Sequence, residues 1–329
     1  MVATIIEVAK LAGVSPTTVS RAFGRPDLLN PDTRAAVLSA ADQLGYTPNR
    51  AAKGLVTGKT GNVGILVPDI VNPFYPPVVK GATDRAAAAD LAVFLATTDL
   101  DPRRELKVAK EMVKQVDGLV LCATQLADED VTALAKVCSV VLVNGEKAGL
   151  PSAVVDTGPG MAEAVDHLAA LGHDRFVYLS GPETSWSNTQ RLTFLRREAD
   201  RLGLGVKVLG PFAPSYDAGV AAADRVLATG ASAVIAFDDQ MALGVLSRLH
   251  DRGVEVPGQI SVIGCDDVLP VGMARPALTT VSAPCARLGR AVIEMILGGA
   301  SETRNQSYEG HLVVRDSTGP RGGGTPIPA

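Results

Sequence analysis

Nine short apolar runs govern what this 329-residue chain can fold into. NVGILVPD, LAVFLAT, GLVLCAT, SVVLVNG and SAVVD come first, then RFVYLSG, VKVLG, AVIAF and ISVIGC, separated by amphipathic or alanine-rich stretches. Runs that stay apolar, instead of alternating, suit strands covered on both faces. Strands interleaved with helical patterns predict βαβ units in parallel sheets, an α/β fold. The length leaves room for a small headpiece and two lobes of roughly a hundred-odd residues each. The break between lobes is expected around Asp156, Thr157, Gly158 and Pro159.

A different pattern rules the N-terminus. Residues 4–24, TIIEVAKLAGVSPTTVSRAFG, have the spacing and turn chemistry of two short helices crossing over a tight bend. Val8, Leu11 and Ala12 give the first helix one apolar face, Gly13 allows the bend, and Val14 fills the space beneath it. Ser15 suits an N-cap and Pro16 the first helical position, where no N–H is needed. Val19 and Phe23 lie four apart and turn inward, leaving Ser15, Pro16, Thr17, Thr18, Ser20 and Arg21 on the outer and N-terminal surface. A helix-turn-helix offers such positions to a major groove, although an ordinary helical hairpin shares the spacing. A second start signal follows at Asn30, Pro31 and Asp32, and Val37, Ala41 and Leu44 keep one face apolar to the end of the headpiece near Tyr46. Charge divides the chain at the same place. Residues 1–60 carry seven Lys/Arg against four Asp/Glu, net +3, and the remainder 24 against 31, net −7. With a formal net charge of −4, any nucleic-acid contact is local and geometric.

Several classes are excluded. No long apolar span and no signal-peptide pattern is visible, so a cytoplasmic protein is expected, with no membrane contact. Cys122, Cys138, Cys265 and Cys285 lack CxxC spacing and read as reduced, mostly buried thiols; His167, His173, His250 and His311 lack ligand-like pairing. No metal and no cofactor is expected. With no GxGxxG after the first strand, no P-loop and no evident nucleophile with its base, an enzyme is the weakest reading.

The motifs EVAKLAGVSPTTVSRAF, NPDTRAAVLSAADQLGYTPNRAAKGLVTGKT and VGILVPDIVNPFY are followed by TTDLDPRRE, VDGLVL, RLTFLRREADRLGL, DDQMALGVL, QISVIGCDD, PALTTV and LVVRDST. In that order they resemble the LacI/GalR family of bacterial transcriptional regulators over nearly the whole chain, up to about Thr318. The resemblance implies a three-helix helix-turn-helix headpiece over 1–46, a hinge helix or linker over 47–60, and a two-lobed periplasmic-binding-protein-like core over 61–318. It implies three crossings between lobes, with lobe 1 at about 61–157 plus 284–300 and lobe 2 at about 158–283 plus 301–318. Residues 319–329 are left as a flexible tail. In the hinge, Gly54 and Gly58 each weaken an isolated helix by roughly a kcal/mol relative to Ala. The family pairs two such hinges in the minor groove and wedges a Leu between base pairs, so the carry-over assigns that role to Leu55, with Asn49, Arg50, Ala52 and Lys53 beside it.

Parallel α/β sheets bind ligands outside the carboxyl ends of their strands. Asn72 to Tyr75 follow the first strand, Asp238 and Asp239 follow AVIAF, and Asp266 follows ISVIGC. Arg191 comes early in the helix after RFVYLSGP, with Trp186 just before it. A bidentate Arg, carboxylates and flat rings suit a polyhydroxylated ligand. The resemblance makes Arg191 and Asp266 effector-site residues, matches Asn72 and Phe74 to a pocket-lining motif and Asp156 to a lobe junction. Phe74 also reads as core, Trp186 as a lid or surface anchor, and Asp239, with Asp238 as the lesser candidate, as the cap of the following helix. Two departures from the family pattern stand out. Asp238 occupies a position where Asn is common, and Cys265 replaces an aromatic, which predicts a roomier wall. The expectation is a dimeric repressor of a pseudo-palindromic double-stranded DNA operator, controlled by a small-molecule effector, a carbohydrate by preference. A purine- or nucleoside-type co-repressor is the alternative, and a solute-binding protein a more distant one.

Overall fold

The computed structural model describes residues 3–47, 58–298 and 305–322. Asn49, Arg50, Ala52, Lys53 and Leu55 lie outside the described residues. The chain divides into two compact units, Met1–Gly61 and Asn62–Ala329.

The first unit contains α1 (Ile5–Ala12), α2 (Pro16–Gly24) and α3 (Pro31–Gln43). Thr4 opens α1 with a reciprocal cap: its N–H donates to Glu7 Oε2 at 2.7 Å and its hydroxyl accepts from Glu7 N at 3.4 Å. Gly13 ends α1 at φ 66°, a left-handed turn that costs glycine nothing. Ser15 Oγ accepts from Thr18 N at 3.1 Å and Asn30 Oδ1 from Asp32 N at 2.9 Å, each followed by proline at the first helical position. Val8, Val19 and Val37 are fully buried together with Ala9, Ala22, Ala40 and Ala41. Leu11 and Leu44 were expected inside, yet Leu11 is 51% and Leu44 38% exposed. Ala9 and Ala40 take the interior instead, because three short helices this close together admit small side chains at their crossings.

The second unit holds two six-stranded sheets. The first has the order β11-β5-β4-β3-β1-β2, from β1 (Asn62–Val67), β2 (Ala92–Thr97), β3 (Gly118–Cys122), β4 (Ser139–Val143), β5 (Ser152–Asp156) and β11 (Asn305–Glu309), all pairs parallel. The second has the order β12-β10-β9-β8-β6-β7, from β6 (Arg175–Leu179), β7 (Gly205–Leu209), β8 (Ala233–Ala236), β9 (Ser261–Asp266), β10 (Thr279–Ser282) and the short antiparallel β12 (Leu312–Val313). Helices cover both faces of each sheet, which is why the central strands read as unbroken apolar runs. On the first, α4 (Tyr75–Ala87) and α11 (Cys285–Gly298) pack on one face and α5 (Pro102–Met112) and α6 (Asp128–Ala135) on the other. On the second, α7 (Gly158–Ala170) and α8 (Trp186–Leu202) pack on one face, α9 (Tyr216–Leu227) and α10 (Asp239–Asp251) on the other.

Two helix pairs meet backbone to backbone through glycine. A Cβ at Gly289 of α11 would lie 1.9 Å from the Val78 carbonyl oxygen of α4, and one at Gly244 of α10 2.0 Å from the Tyr216 carbonyl oxygen of α9.

The chain crosses between sheets at Asp156–Gly158, after Ser282, and at Gly310. The crossings are laced together: Gly310 N donates to Asp156 O at 2.8 Å, Ser282 N to His311 O at 2.8 Å, and His311 N to Ser282 Oγ at 3.1 Å. Two expectations change here. Of the stretch 301–318 assigned to lobe 2, residues 305–309 form the edge strand β11 of the first sheet, its backbone laddered to β5, and the third crossing comes only at Gly310. Of the tail, Gly319 and Arg321 are pinned. Gly319 O accepts from His173 Nε2 at 3.1 Å, Arg321 N donates to Leu171 O at 2.8 Å, and the Arg321 guanidinium pairs with Asp174 at 2.7 Å.

Candidate functional site

In the first unit, α2 sets the chemistry of one surface. With Val19 and Ala22 buried, Ser15, Pro16, Thr17, Ser20 and Arg21 are exposed and Thr18 is half-buried. Thr18 is committed locally, its hydroxyl 2.9 Å from Ser15 Oγ. Arg21 has no ion-pair partner among the described residues, so its planar fork is available to acceptors outside the unit.

In the second unit, a cavity of about 300 Å³ opens at the carboxyl ends of both sheets' strands. Asn72, Phe74, Arg191, Asp238 and Asp266 line it together. Asp156 and Trp186 do not. The Asp156 carboxylate instead accepts from Gly158 N at 2.8 Å, and Trp186 begins α8 with only its neighbours Ser185 and Ser187 on the wall. Cys265 is likewise absent from the wall: it is fully buried in the core beneath α7 and α8, so its replacement of an aromatic leaves the cavity unchanged there.

The loops carry visible strain. Asp99, Leu100, Ala123, Asn144 and Asp266 line the cavity with φ between 47° and 119°, and they are five of the seven non-glycine residues of positive φ among the described residues. Such conformations cost about 1–3 kcal/mol each and gather where a site must hold groups in fixed directions. Buried hydrogen bonds fix the neighbouring backbone. Asn188 Oδ1 accepts from Tyr178 Oη at 2.9 Å and Gly181 N at 3.0 Å, holding the loop that leads into α8. Asn72 Oδ1 accepts from Phe74 N at 2.9 Å, which leaves its amide nitrogen to the Asp238 carboxylate. The Phe74 ring meets Tyr75 edge-on at 5.2 Å between centroids.

The polar centre is Arg191, 3% exposed. It pairs with Asp266 at 2.9 Å, donates to the Phe237 carbonyl and lies 4.7 Å from the Phe237 ring centre; its Nε–H has no partner. Sequence reasoning preferred Asp239 as the cap of α10. The cap is Asp238, whose Oδ1 accepts from Met241 N at 2.8 Å, while Asp239 turns back to Thr280 Oγ1 at 2.5 Å and Val268 N at 3.2 Å. Asp238 nevertheless faces the cavity too, since its second oxygen is buried there without a hydrogen bond of normal geometry. Burial pushes the Asp238 carboxyl up to about 6, against the pull of the Met241 amide and Arg191. It also raises Asp239, where Asp266 and Asp267 add repulsion, and Asp266, where burial and Asp238 outweigh the pull of the paired Arg191. Three buried carboxyls around one guanidinium cannot all ionise cheaply.

Sequence reasoning missed Asp69, Asp99, Gln125, Asn144, Ser215 and Phe237, all on the wall. All but Ser215, which stands five residues beyond VKVLG, lie at or just after the carboxyl end of an apolar run, and that position was the available signal.

The family described as bacterial regulatory proteins, lacI family, matches residues 4–49, and a periplasmic binding protein-like domain matches residues 165–318. The chain is 31% identical to the HTH-type transcriptional regulator DegA of Bacillus subtilis (strain 168), over 97% of this chain and 99% of that protein. It is also 31% identical to the HTH-type transcriptional regulator CelR of Thermobifida fusca, over 95% and 98% of the two chains. Among solved structures, the lac repressor dimer bound to operator and the anti-inducer ONPF superposes with a TM-score of 0.86 at 26% identity, covering 97% of this chain and all of that one. A CelR–cellobiose complex gives 0.69 at 29% identity, covering 96% and 99%.

Proposed function

Because the chain belongs to the lacI family of bacterial regulatory proteins, we propose that this DNA-binding transcriptional regulator is a homodimeric repressor whose hold on a pseudo-palindromic operator is set by a carbohydrate bound in the cavity. α2 enters the major groove with Thr17 and Arg21 reading base edges and Ser15, Pro16, Thr18 and Ser20 alongside. Asn49, Arg50, Ala52 and Lys53 follow the minor groove, where Leu55 is the wedge. Asn72, Phe74, Arg191, Asp238 and Asp266 take the effector. Its operator lies in the cytoplasm, and it carries out no turnover.

The observation that carries the carbohydrate reading is the wall itself: carboxylates, amides and an arginine donor interleaved with the Phe74, Tyr75 and Phe237 rings. Polar groups fix hydroxyls and rings cover the less polar faces of a sugar. The likeness to a regulator solved with cellobiose supports the same class. The test is a melting-temperature screen of the full chain against sugars and nucleobases, followed by operator binding with each hit. A sugar at about 100 times its dissociation constant stabilises by nearly 3 kcal/mol and changes operator affinity. A response to purines alone refutes the carbohydrate assignment in favour of a co-repressor.

A further inference from the structure

Resting on the cavity's reading as an effector site, we propose that the ligand is a polyhydroxylated amine, an amino sugar or close relative, whose ammonium group is held by Asp238. Four carboxylates line the cavity; two are ion-paired within the protein, and a third, Asp69, is exposed to solvent. Asp69 Oδ1 accepts from Val71 N at 2.8 Å, Asp99 pairs with Arg104, and Asp266 with Arg191. Asp238 is the exception. It is 2% exposed, one oxygen caps α10, and the other lies at the cavity wall with only the neutral Asn72 amide near it and no hydrogen bond of normal geometry.

A buried anionic oxygen at a cavity wall asks for a donor, and a charged donor answers its desolvation better than a hydroxyl does. With its carboxyl near 6, Asp238 is mainly ionised at neutral pH. The charged groups that bear on it are Arg191, already neutralised by Asp266, and Asp239, which repels it. No other basic side chain lines the cavity among the described residues, so the missing positive charge comes with the ligand. The unpartnered Arg191 Nε–H asks for the opposite, an acceptor without full charge, which a hydroxyl supplies. One ammonium and adjacent hydroxyls on a compact frame meet both demands. Sugar phosphates and sugar acids face an excess of carboxylate and are rejected.

The experiment is calorimetric titration of the full-length chain with matched pairs: glucose and glucosamine, galactose and galactosamine, cellobiose and the corresponding glucosamine dimer. Wild type binds the amine of at least one pair about tenfold to a hundredfold more tightly than its neutral partner. In Asp238→Asn, which keeps an oxygen to cap α10, that preference disappears, and a cooperative thermal unfolding transition shows that the variant is folded. Wild type binding the neutral member of every pair as tightly as the amine, or more tightly, overturns the proposal and leaves the carbohydrate reading intact. Persistence of the amine preference in Asp238→Asn overturns the role of Asp238. Binding of neither series overturns both readings.

Discussion

Replacing Asp238 by Asn tests the buried charge without any ligand. The folded carboxyl sits at about 6, above its ordinary value of 3.8, mainly because of burial. A raised acid holds its proton more tightly in the folded state. Its contribution is therefore intact below about pH 4 and is lost as pH rises through the window from 3.8 to about 6. About two units at 1.36 kcal/mol each correspond to about 3 kcal/mol of stability forfeited at neutral pH. Asn carries no charge, keeps the cap to Met241 N, and removes one of the carboxylates that raise Asp266. Urea unfolding of the ligand-free full chain, followed by the fluorescence of its single tryptophan, Trp186, reports the difference. The Asp238→Asn curve rises away from that of wild type between pH 4 and pH 8 and ends about 1–3 kcal/mol higher at pH 8. Parallel curves with no gain at pH 8 would refute the charge argument.

Arg21→Ala should lose about 1–3 kcal/mol of discrimination at one base pair per half-site, and wild-type preference across operator variants shows instead that Arg21 makes no base contact. Arg191→Met strands a buried Asp266 and should lower stability by about 3–5 kcal/mol as well as abolish the effector response. Adding Asp266→Asn should recover most of that stability, and equal melting temperatures for all three proteins rule out a structural ion pair. Ser15→Ala removes the acceptor for Thr18 N and should weaken the headpiece by about 1 kcal/mol. It is read as faster amide exchange along α2, and unchanged exchange denies the cap its role.

Strands β1, β3 to β6, β8 and β9 were legible because burial on both faces leaves an apolar run for each, and the edge strands β2 and β7 keep such a run though partly exposed. Asn305–Glu309 was not, since NQSYE on an edge needs neither apolar face, and only the ladder to β5 reveals it. The caps at Ser15 and Asn30 were legible for the opposite reason: they depend on residues within three positions. Leu11 misled because periodicity identifies a face but not how closely two helices approach across it. Asn72, Phe74, Arg191, Asp238 and Asp266 meet in one cavity from four separate chain segments. The division of labour between Asp238 and Asp239 depends on one φ/ψ pair at the start of α10, where Asp238 is extended at φ −139° and ψ 173°. No property of the dipeptide shows which carboxylate turns outward.

The glycines between α4 and α11, and between α9 and α10, bear on where motion occurs. Helices in backbone contact have no intervening layer of side chains to repack, so each lobe resists deformation as a stiff jaw. Compliance is left to the three crossing strands, where hydrogen bonds join the segments side by side. A ligand that drew the two walls of the cavity together would then turn the lobes about that narrow waist, with little of the displacement absorbed in the jaws themselves. Larger side chains at Gly289 or Gly244 would loosen a jaw, and the molecule would close on its ligand yet transmit less of the turn.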